Sequence, residues 1–250
     1  MRPKHPWQEH IPALRKLWQE AFGDSDAFLD GFFSTAFAPE RCLCIRQGEE
    51  MLSAAYWLDV QLPEGKGAYI YAVATAKQHR GKGLATVLLQ EIHGLLVRRG
   101  YDAAILVPGE PALAQFYGKM GYEFCGGIRE CSALAKSPGV ALRKIDAEEF
   151  GYLRRQYLPA GSVIQEGESL TFLETYAALY SGDDFILAAY QEEDTVSGLE
   201  LLGNGEKAGQ ILYTLGAKQG SFRMPGGENF AMWLPLKAVA EPAYFGLAFD

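Results

Sequence analysis

Nine consecutive residues, Gln78-His79-Arg80-Gly81-Lys82-Gly83-Leu84-Ala85-Thr86, combine the ingredients of an anion site. The amides at the start of a helix lack intrahelical partners and carry partial positive charge, so a glycine loop entering a helix can hold phosphate with its main chain. Gly81 and Gly83 let backbone approach an anion closely, and Arg80 and Lys82 add full charges. Two familiar phosphate motifs fail on spacing. The Walker pattern needs four residues between its glycines and a following Lys-Ser/Thr, and the dinucleotide fingerprint needs a third glycine where Thr86 stands. An ordinary strand-to-helix turn is the competing reading of the same glycines. Further along, Phe116-Tyr117-Gly118-Lys119-Met120-Gly121-Tyr122 places a phenol beside a lysine and a glycine stop; the bland reading of Tyr117 is a core aromatic. His79 reads as an exposed loop residue and His93 as a helix-face residue. No H-E-x-x-H or paired Cys spacing is present, so no metal is expected.

The elements that must position these residues follow from periodicity. Ile11, Leu14, Leu17, Trp18, Ala21 and Phe22 recur at helical spacing, and Gly23-Asp24-Ser25-Asp26 offers a stop and then an N-cap. A second amphipathic helix with Phe28, Leu29, Phe32, Phe33, Ala36 and Phe37 should end at Pro39. Cys42 to Arg46 and Met51 to Leu62 predict a hairpin around Gln47-Gly48-Glu49-Glu50. Ala68 to Thr75 is apolar on both faces, as a covered central strand requires, and it runs directly into the glycine loop. A helix from Gly83 to about Arg99, a strand from Ala103 to Val107 and a helix opened by Pro111 and closed by Gly121 complete an α/β layer with a locally parallel strand pair.

Ala135-Lys136-Ser137-Pro138-Gly139 is the candidate boundary, which divides the chain into domains 1–135 and 140–250. Beyond it, Asp146–Tyr157, Ser169–Tyr180 and Glu206–Leu215 read as helices. Phe185–Tyr190, Ser197–Leu202, Ser221–Met224, Phe230–Leu236 and Tyr244–Phe249 read as strands. The expectation is a mixed central sheet with flanking helices and a second, smaller α+β domain. No glycine-rich phosphate loop recurs there; Gly203-Asn204-Gly205 is short and lacks a basic residue.

Composition narrows the function class. With 250 residues, 48% hydrophobic and 22% charged, the chain has the composition of a globular protein and the length for one large or two small domains. A formal net charge of -8 disfavours a nucleic-acid partner and mildly favours a cationic one. No apolar run approaches the ~18 residues of a membrane span, and Met1-Arg2-Pro3-Lys4-His5-Pro6 lacks the apolar core of a secretion signal, so no membrane association and a cytosolic location are expected. Cys42, Cys44, Cys125 and Cys131 are too sparse for a disulfide framework and read as buried or partly buried thiols. Oligomeric state is not legible.

Gln78-His79-Arg80-Gly81-Lys82-Gly83 resembles the Q/R-x-x-G-x-G/A signature of the GNAT superfamily of acetyl-CoA-dependent N-acetyltransferases. The resemblance takes in the strand Tyr69–Thr75, the helix after the loop and the Phe116–Tyr122 segment, which looks like the family's F-Y-x-K-x-G-F/Y element; together it spans about residues 10–130. It implies acetyl-CoA as co-substrate. The pantetheine arm would pair with the main chain of Val73, Ala74 and Thr75, with Gln78 completing the signature. The pyrophosphate would sit on the amides of Arg80, Gly81, Lys82, Gly83, Leu84, Ala85 and Thr86. It also implies Tyr117 as the acid that protonates the departing CoA sulfur.

Acetyl transfer to an amine needs a neutral nucleophile, and a lysine-like amine with a pKa of ~10.4 must first lose a proton. Many family members keep a Glu shortly before the strand motif; here Gly65, Lys66 and Gly67 fill that neighbourhood, with Glu64 the nearest acid. Tyr69, Tyr71 and Val73 share one face of an alternating strand and are candidates to line an acceptor pocket, as against plain packing. Glu110 is a further candidate acid. The segment from Pro242 to Asp250 is apolar to its last residue, and some multidomain members of the superfamily use a C-terminal carboxylate as base, which makes Asp250 the candidate here. The expected activity is N-acetylation of a small-molecule or peptide amine. An aminoacyl transferase of tandem GNAT-like type and a non-catalytic acyl-CoA sensor stay open beside it.

Overall fold

The computed structural model describes residues 2–249. Its elements form two compact units: residues up to Leu106 with Glu110–Tyr122 and Trp233–Ala240, and Val107–Gly109 with Glu123–Met232 and the segment from Glu241 onward. Residues 135–139 lie within the second of these.

The first unit opens with two helices, α1 (Ile11–Phe22) and α2 (Asp26–Thr35). Gly23, at φ 81°, ends α1, and the Ser25 hydroxyl accepts from the Phe28 amide to start α2. Both helices turn aromatic faces inward. Trp18 is 1% exposed and meets Phe32 and Tyr56 at ring-centroid distances of 4.8 and 5.1 Å, while its indole N–H donates to Asp24 at 2.7 Å. Strands β1 (Cys42–Gln47), β2 (Glu50–Leu62) and β3 (Gly65–Thr75) follow as an antiparallel meander. Helix α3 (Leu84–Arg98) then crosses over to β4 (Ala103–Leu106), which pairs parallel with β3, because a parallel neighbour can be reached only by a crossover connection. Helix α4 (Pro111–Gly118) comes next, with Pro111 at its first position.

Along β3 the pairing with β2 slips. Tyr71 stands opposite Tyr56 but Ala74 stands opposite Ala54, so β3 carries one extra residue, and Ala72 adopts φ 47°, in the left-handed region. This bulge overturns the expected alternation: the residues opposite Tyr56 and Ala54 are Tyr71 and Ala74, not Tyr71 and Val73. Tyr71 packs on Trp18 and Phe32, at 5.4 and 5.8 Å, within the aromatic core.

The second unit contains β5 (Glu123–Cys125), β6 (Ile128–Leu134) and β7 (Arg143–Ile145), three strands that periodicity did not reveal. Helices α5 (Ala147–Tyr157) and α6 (Glu168–Glu174) come next. They are followed by β8 (Ala178–Ser181), β9 (Phe185–Glu192), β10 (Thr195–Gly203), α7 (Ala208–Leu215) and β11 (Gln219–Pro225). The strand order is β6-β11-β10-β9-β8-β7, with β10 and β11 the parallel pair. A last strand, β12, spans Ala231–Pro235.

Two helices, three antiparallel strands, a crossover helix and a parallel strand thus occur twice, as α1-α2-β1-β2-β3-α3-β4 and as α5-α6-β8-β9-β10-α7-β11. The bulge recurs too. Gly198 pairs with Ala189 and Glu200 with Ala188, which leaves Leu199 extra in β10 as one residue is extra in β3.

Two expectations need correction. The helix foreseen over Ser169–Tyr180 stops at Glu174, and Ala178–Ser181 instead pairs with β9, where Leu179 loses all exposure. Tyr244–Phe249 forms no strand beyond one bridge from Tyr244 to Ser162. It is held by the Val163 amide on the Tyr244 carbonyl at 2.9 Å and the Gln165 side-chain amide on the Leu247 carbonyl at 2.8 Å. These two carbonyls thereby find partners without a ladder.

Candidate functional site

The parallel ladder between β3 and β4 runs from Gly67↔Ala103 to Tyr69↔Ile105, yet β3 continues to Thr75. Val73, Ala74 and Thr75 therefore lie past the last position paired with β4, beside the bulge, on the stretch of β3 that leads into the glycine loop, and only the β2 side of that stretch is laddered. Two of their carbonyls have partners: Ala74 accepts from the Ser53 hydroxyl at 2.8 Å and Thr75 from Arg80 Nε at 3.1 Å.

After Thr75 the chain makes a 3-10 turn at Lys77–His79 and reaches Gly81 and Gly83, both at φ 74°. Gly83 is the N-cap of α3 and its carbonyl accepts the first helical bond, from the Val87 amide at 3.1 Å. The amides of Leu84, Ala85 and Thr86 precede that bond and have no partner within the helix. A Cβ placed on Gly81 or Gly83 would meet no heavy atom within 4 Å, so these glycines border open space and are required by backbone conformation, not by crowding. Arg80 and Lys82 are exposed on either side of Gly81. This is a cationic, amide-lined cradle at the start of a 15-residue helix.

The side chains of Gln78 and His79 do not face outward from this cradle. Gln78 Nε2 donates to Glu50 Oε1 at 2.7 Å, and His79 Nε2 lies 3.1 Å from the same oxygen. His79 is half-buried, where an exposed loop residue was expected. These hydrogen bonds hold the Glu50 carboxyl below the usual carboxylate range. Glu20, on α1, accepts the Lys77 amide at 2.6 Å. No sequence signal pointed to either acid.

Tyr117 lies near the end of α4 and is 6% exposed, with Phe116 and Tyr122 rings at 5.2 and 5.8 Å. Burial pushes its hydroxyl up to about 12, so it is protonated through neutral pH. Tyr122 is buried, and its hydroxyl lies 2.8 Å from His93 Nε2, which makes His93 a half-buried partner where a plain helix-face residue was expected. Glu64 and Glu110 are exposed. Asp250 lies outside the described residues. The cysteines are free, with Cys42, Cys44 and Cys125 buried. Among the described residues no helix is long and apolar enough to cross a membrane.

A family model described as an acetyltransferase (GNAT) domain matches residues 3–125. No curated protein sequence matches the chain. Among solved structures, a GCN5-related N-acetyltransferase from Kribbella flavida superposes with a TM-score of 0.69 at 18% identity, over 95% of this chain and 71% of that one. One from Anabaena variabilis gives 0.72 at 15% identity, over 94% and 73%. A tandem GNAT protein from the clavulanic acid biosynthesis pathway gives 0.58 at 11% identity, over 96% and 99%. At these identities the likeness is one of fold, and it agrees with the doubled element order described above. The family match covers the bulged strand, the glycine cradle and the Tyr117 helix, and through it residues 3–125 are identified as a GNAT acetyltransferase domain.

Proposed function

We propose that the protein transfers an acetyl group from acetyl-CoA to a primary amine of a small-molecule or peptide acceptor. The observation that carries this reading is the cradle itself: two left-handed glycines, free first-turn amides on α3 and two exposed cations, directly after a bulged strand. Pyrophosphate on the amides of Arg80 to Thr86 would anchor the cofactor, and the main chain of Val73 to Thr75 would guide its pantetheine arm toward the bulge.

The amine nitrogen attacks the thioester carbon, the C–S bond breaks, the nitrogen gives up a proton and the sulfur takes one. Tyr117 is assigned the donation to sulfur: its proton is retained at neutral pH and released only as charge develops on the leaving group. Asp250 is assigned as the proton acceptor. An Asp250→Asn variant tests it, and unchanged turnover would remove that assignment. An acidic chain, at -8, suits a cationic acceptor. The reaction is placed in the cytosol.

The deciding experiment is thiol release from acetyl-CoA across a panel of polyamines, aminoglycosides, amino acids and peptide amines. Calorimetric binding of acetyl-CoA without thiol release from any amine would favour a sensor. Absence of binding would refute the reading altogether.

A further inference from the structure

The cradle at Gly81–Gly83 is held from behind by two carboxylates that come from different elements. Glu20, in the last turn of α1, accepts the Lys77 amide at 2.6 Å. Glu50, the first residue of β2, accepts Gln78 Nε2 at 2.7 Å and lies 3.1 Å from His79 Nε2. The far side of the same imidazole, His79 Nδ1, is 3.4 Å from Lys82 Nζ, between the two glycines. Lys77, Gln78 and His79 are thus each tied to an acid, and those ties continue through His79 to Lys82. A cleft of about 150 Å³ separates the three elements and is lined by Lys16, Glu20, Glu49, Glu50 and Gln78 among others.

We propose that Glu20 and Glu50 are positioning residues for the acyl-CoA loop: they clamp Lys77–His79 so that the two glycines and the amides of α3 are presented to pyrophosphate in one conformation. The inference rests on the reading of this loop as the acetyl-CoA site. Electrostatics alone argue the other way. Two negative charges beside an anion site repel the phosphates, so on charge grounds their loss should tighten binding. Their presence is explained if ordering the loop is worth more than that repulsion costs. Two glycine hinges, on either side of Lys82, give the loop more conformational freedom to lose on binding than other residues at those positions would, and a preset loop loses less of it. Gln78, the signature glutamine, acts on this account through Glu50 and not through contact with ligand.

The sign of the effect makes the test decisive. Glu50→Gln keeps the shape and removes the charge; Gln78→Met breaks the same bond from the other side without changing the charge; Glu20→Gln/Glu50→Gln loosens both anchors. The proposal expects weaker acetyl-CoA binding by calorimetry in each, roughly 3- to 10-fold for the single variants and more for the double. It also expects KM for acetyl-CoA to rise while kcat changes less than about twofold, with melting temperatures close to wild type. In the ligand-free protein, amide hydrogen exchange at residues 78–86 should speed up in the variants. Unchanged or tighter binding in Glu50→Gln, together with unchanged exchange, overturns the clamp. If wild-type protein fails to bind acetyl-CoA, the reading of the site falls, and exchange in the ligand-free variants still decides whether these acids order the loop.

Discussion

His93 Nε2, on α3, lies 2.8 Å from the hydroxyl of Tyr122, and the Tyr122 ring stands edge-on to Tyr117 at 5.8 Å. The helix that offers its amides at one end therefore also fixes, two turns later, the aromatic residue packed against the assigned acid. Burial pushes His93 down to about 4 from an ordinary 6.5, so the ring is neutral at pH 7. An unfolded chain takes up a proton at this histidine below pH 6.5, and the folded one does so only near pH 4. Stability from the neutral ring is thus fully present above pH 6.5 and is lost as pH falls toward 4, by at most roughly 3 kcal/mol. In His93→Gln, which retains a polar group for Tyr122, the drop in melting temperature between pH 7 and pH 4 should be smaller than in wild type. Parallel curves for the two proteins would contradict this.

Tyr117→Phe keeps the ring packed against Phe116 and Tyr122 and deletes only the hydroxyl. Acetyl-CoA affinity should be nearly unchanged, and turnover should fall by roughly 10²-fold or more. Steady-state thiol release with an identified acceptor measures both. Equal turnover would show that sulfur receives its proton from another source.

Gly83 separates a backbone cost from a ligand effect. With φ at 74° and open space around the position, Gly83→Ala meets no neighbour but must adopt a left-handed backbone, at a cost of about 1–2 kcal/mol. Gly83→Trp fills the open space with a ring and should abolish calorimetric acetyl-CoA binding, whereas Gly83→Ala should weaken it and lower the melting temperature. Retained wild-type affinity in the Trp variant would contradict the cradle.

Binding should saturate at one acetyl-CoA per chain, despite the doubled topology. In the second unit the connection from β10 to α7 carries Glu206 where the first has its cationic loop, and a Cβ on Gly205 would lie 1.9 Å from the Met224 methyl. With Lys207 beside Glu206 that turn has no net charge, and it is packed, unlike the open cationic cradle of the first unit. A calorimetric stoichiometry of two would refute this.

The second unit's stability should depend on Arg154 and Glu200 being kept or removed together, because either charge alone would be stranded in the interior. Arg154 Nε and Nη2 donate to the two Glu200 oxygens at 2.6 and 3.0 Å, and the Tyr244 hydroxyl donates to Glu200 Oε1 at 3.1 Å. Side-chain exposure is 1% and 0%. Glu200→Leu leaves the guanidinium buried without a counter-charge and should cost about 3–5 kcal/mol in denaturant unfolding. Arg154→Leu/Glu200→Leu, which removes both charges, should recover most of that loss. A single variant as stable as wild type would show that water reaches the arginine.

Short-range pattern made a large part of this protein legible. Gly23 and Ser25 announce the break between α1 and α2; the two-sided apolar run before Gln78 marks β3; and Gly81 and Gly83, at their spacing, mark the entry to α3. Each of these is a property of neighbours within one helical turn or one strand, where side-chain periodicity and a glycine's backbone freedom act directly. The short strands β5, β6 and β7 carry too few alternating residues to show a period, and β8 exists because Leu179 and Ala178 find Ala188 and Ala189 on β9, although local propensity favours a longer α6. The bulge at Ala72 is set by register against β2, and no residue type in β3 betrays it. The partners of the cradle are further still: Gln78 meets Glu50 across 28 positions of chain and Lys77 meets Glu20 across 57. Exposed acids of this kind look alike in sequence, and only the packing of α1 and the β1–β2 turn behind the loop determines which two of them hold it.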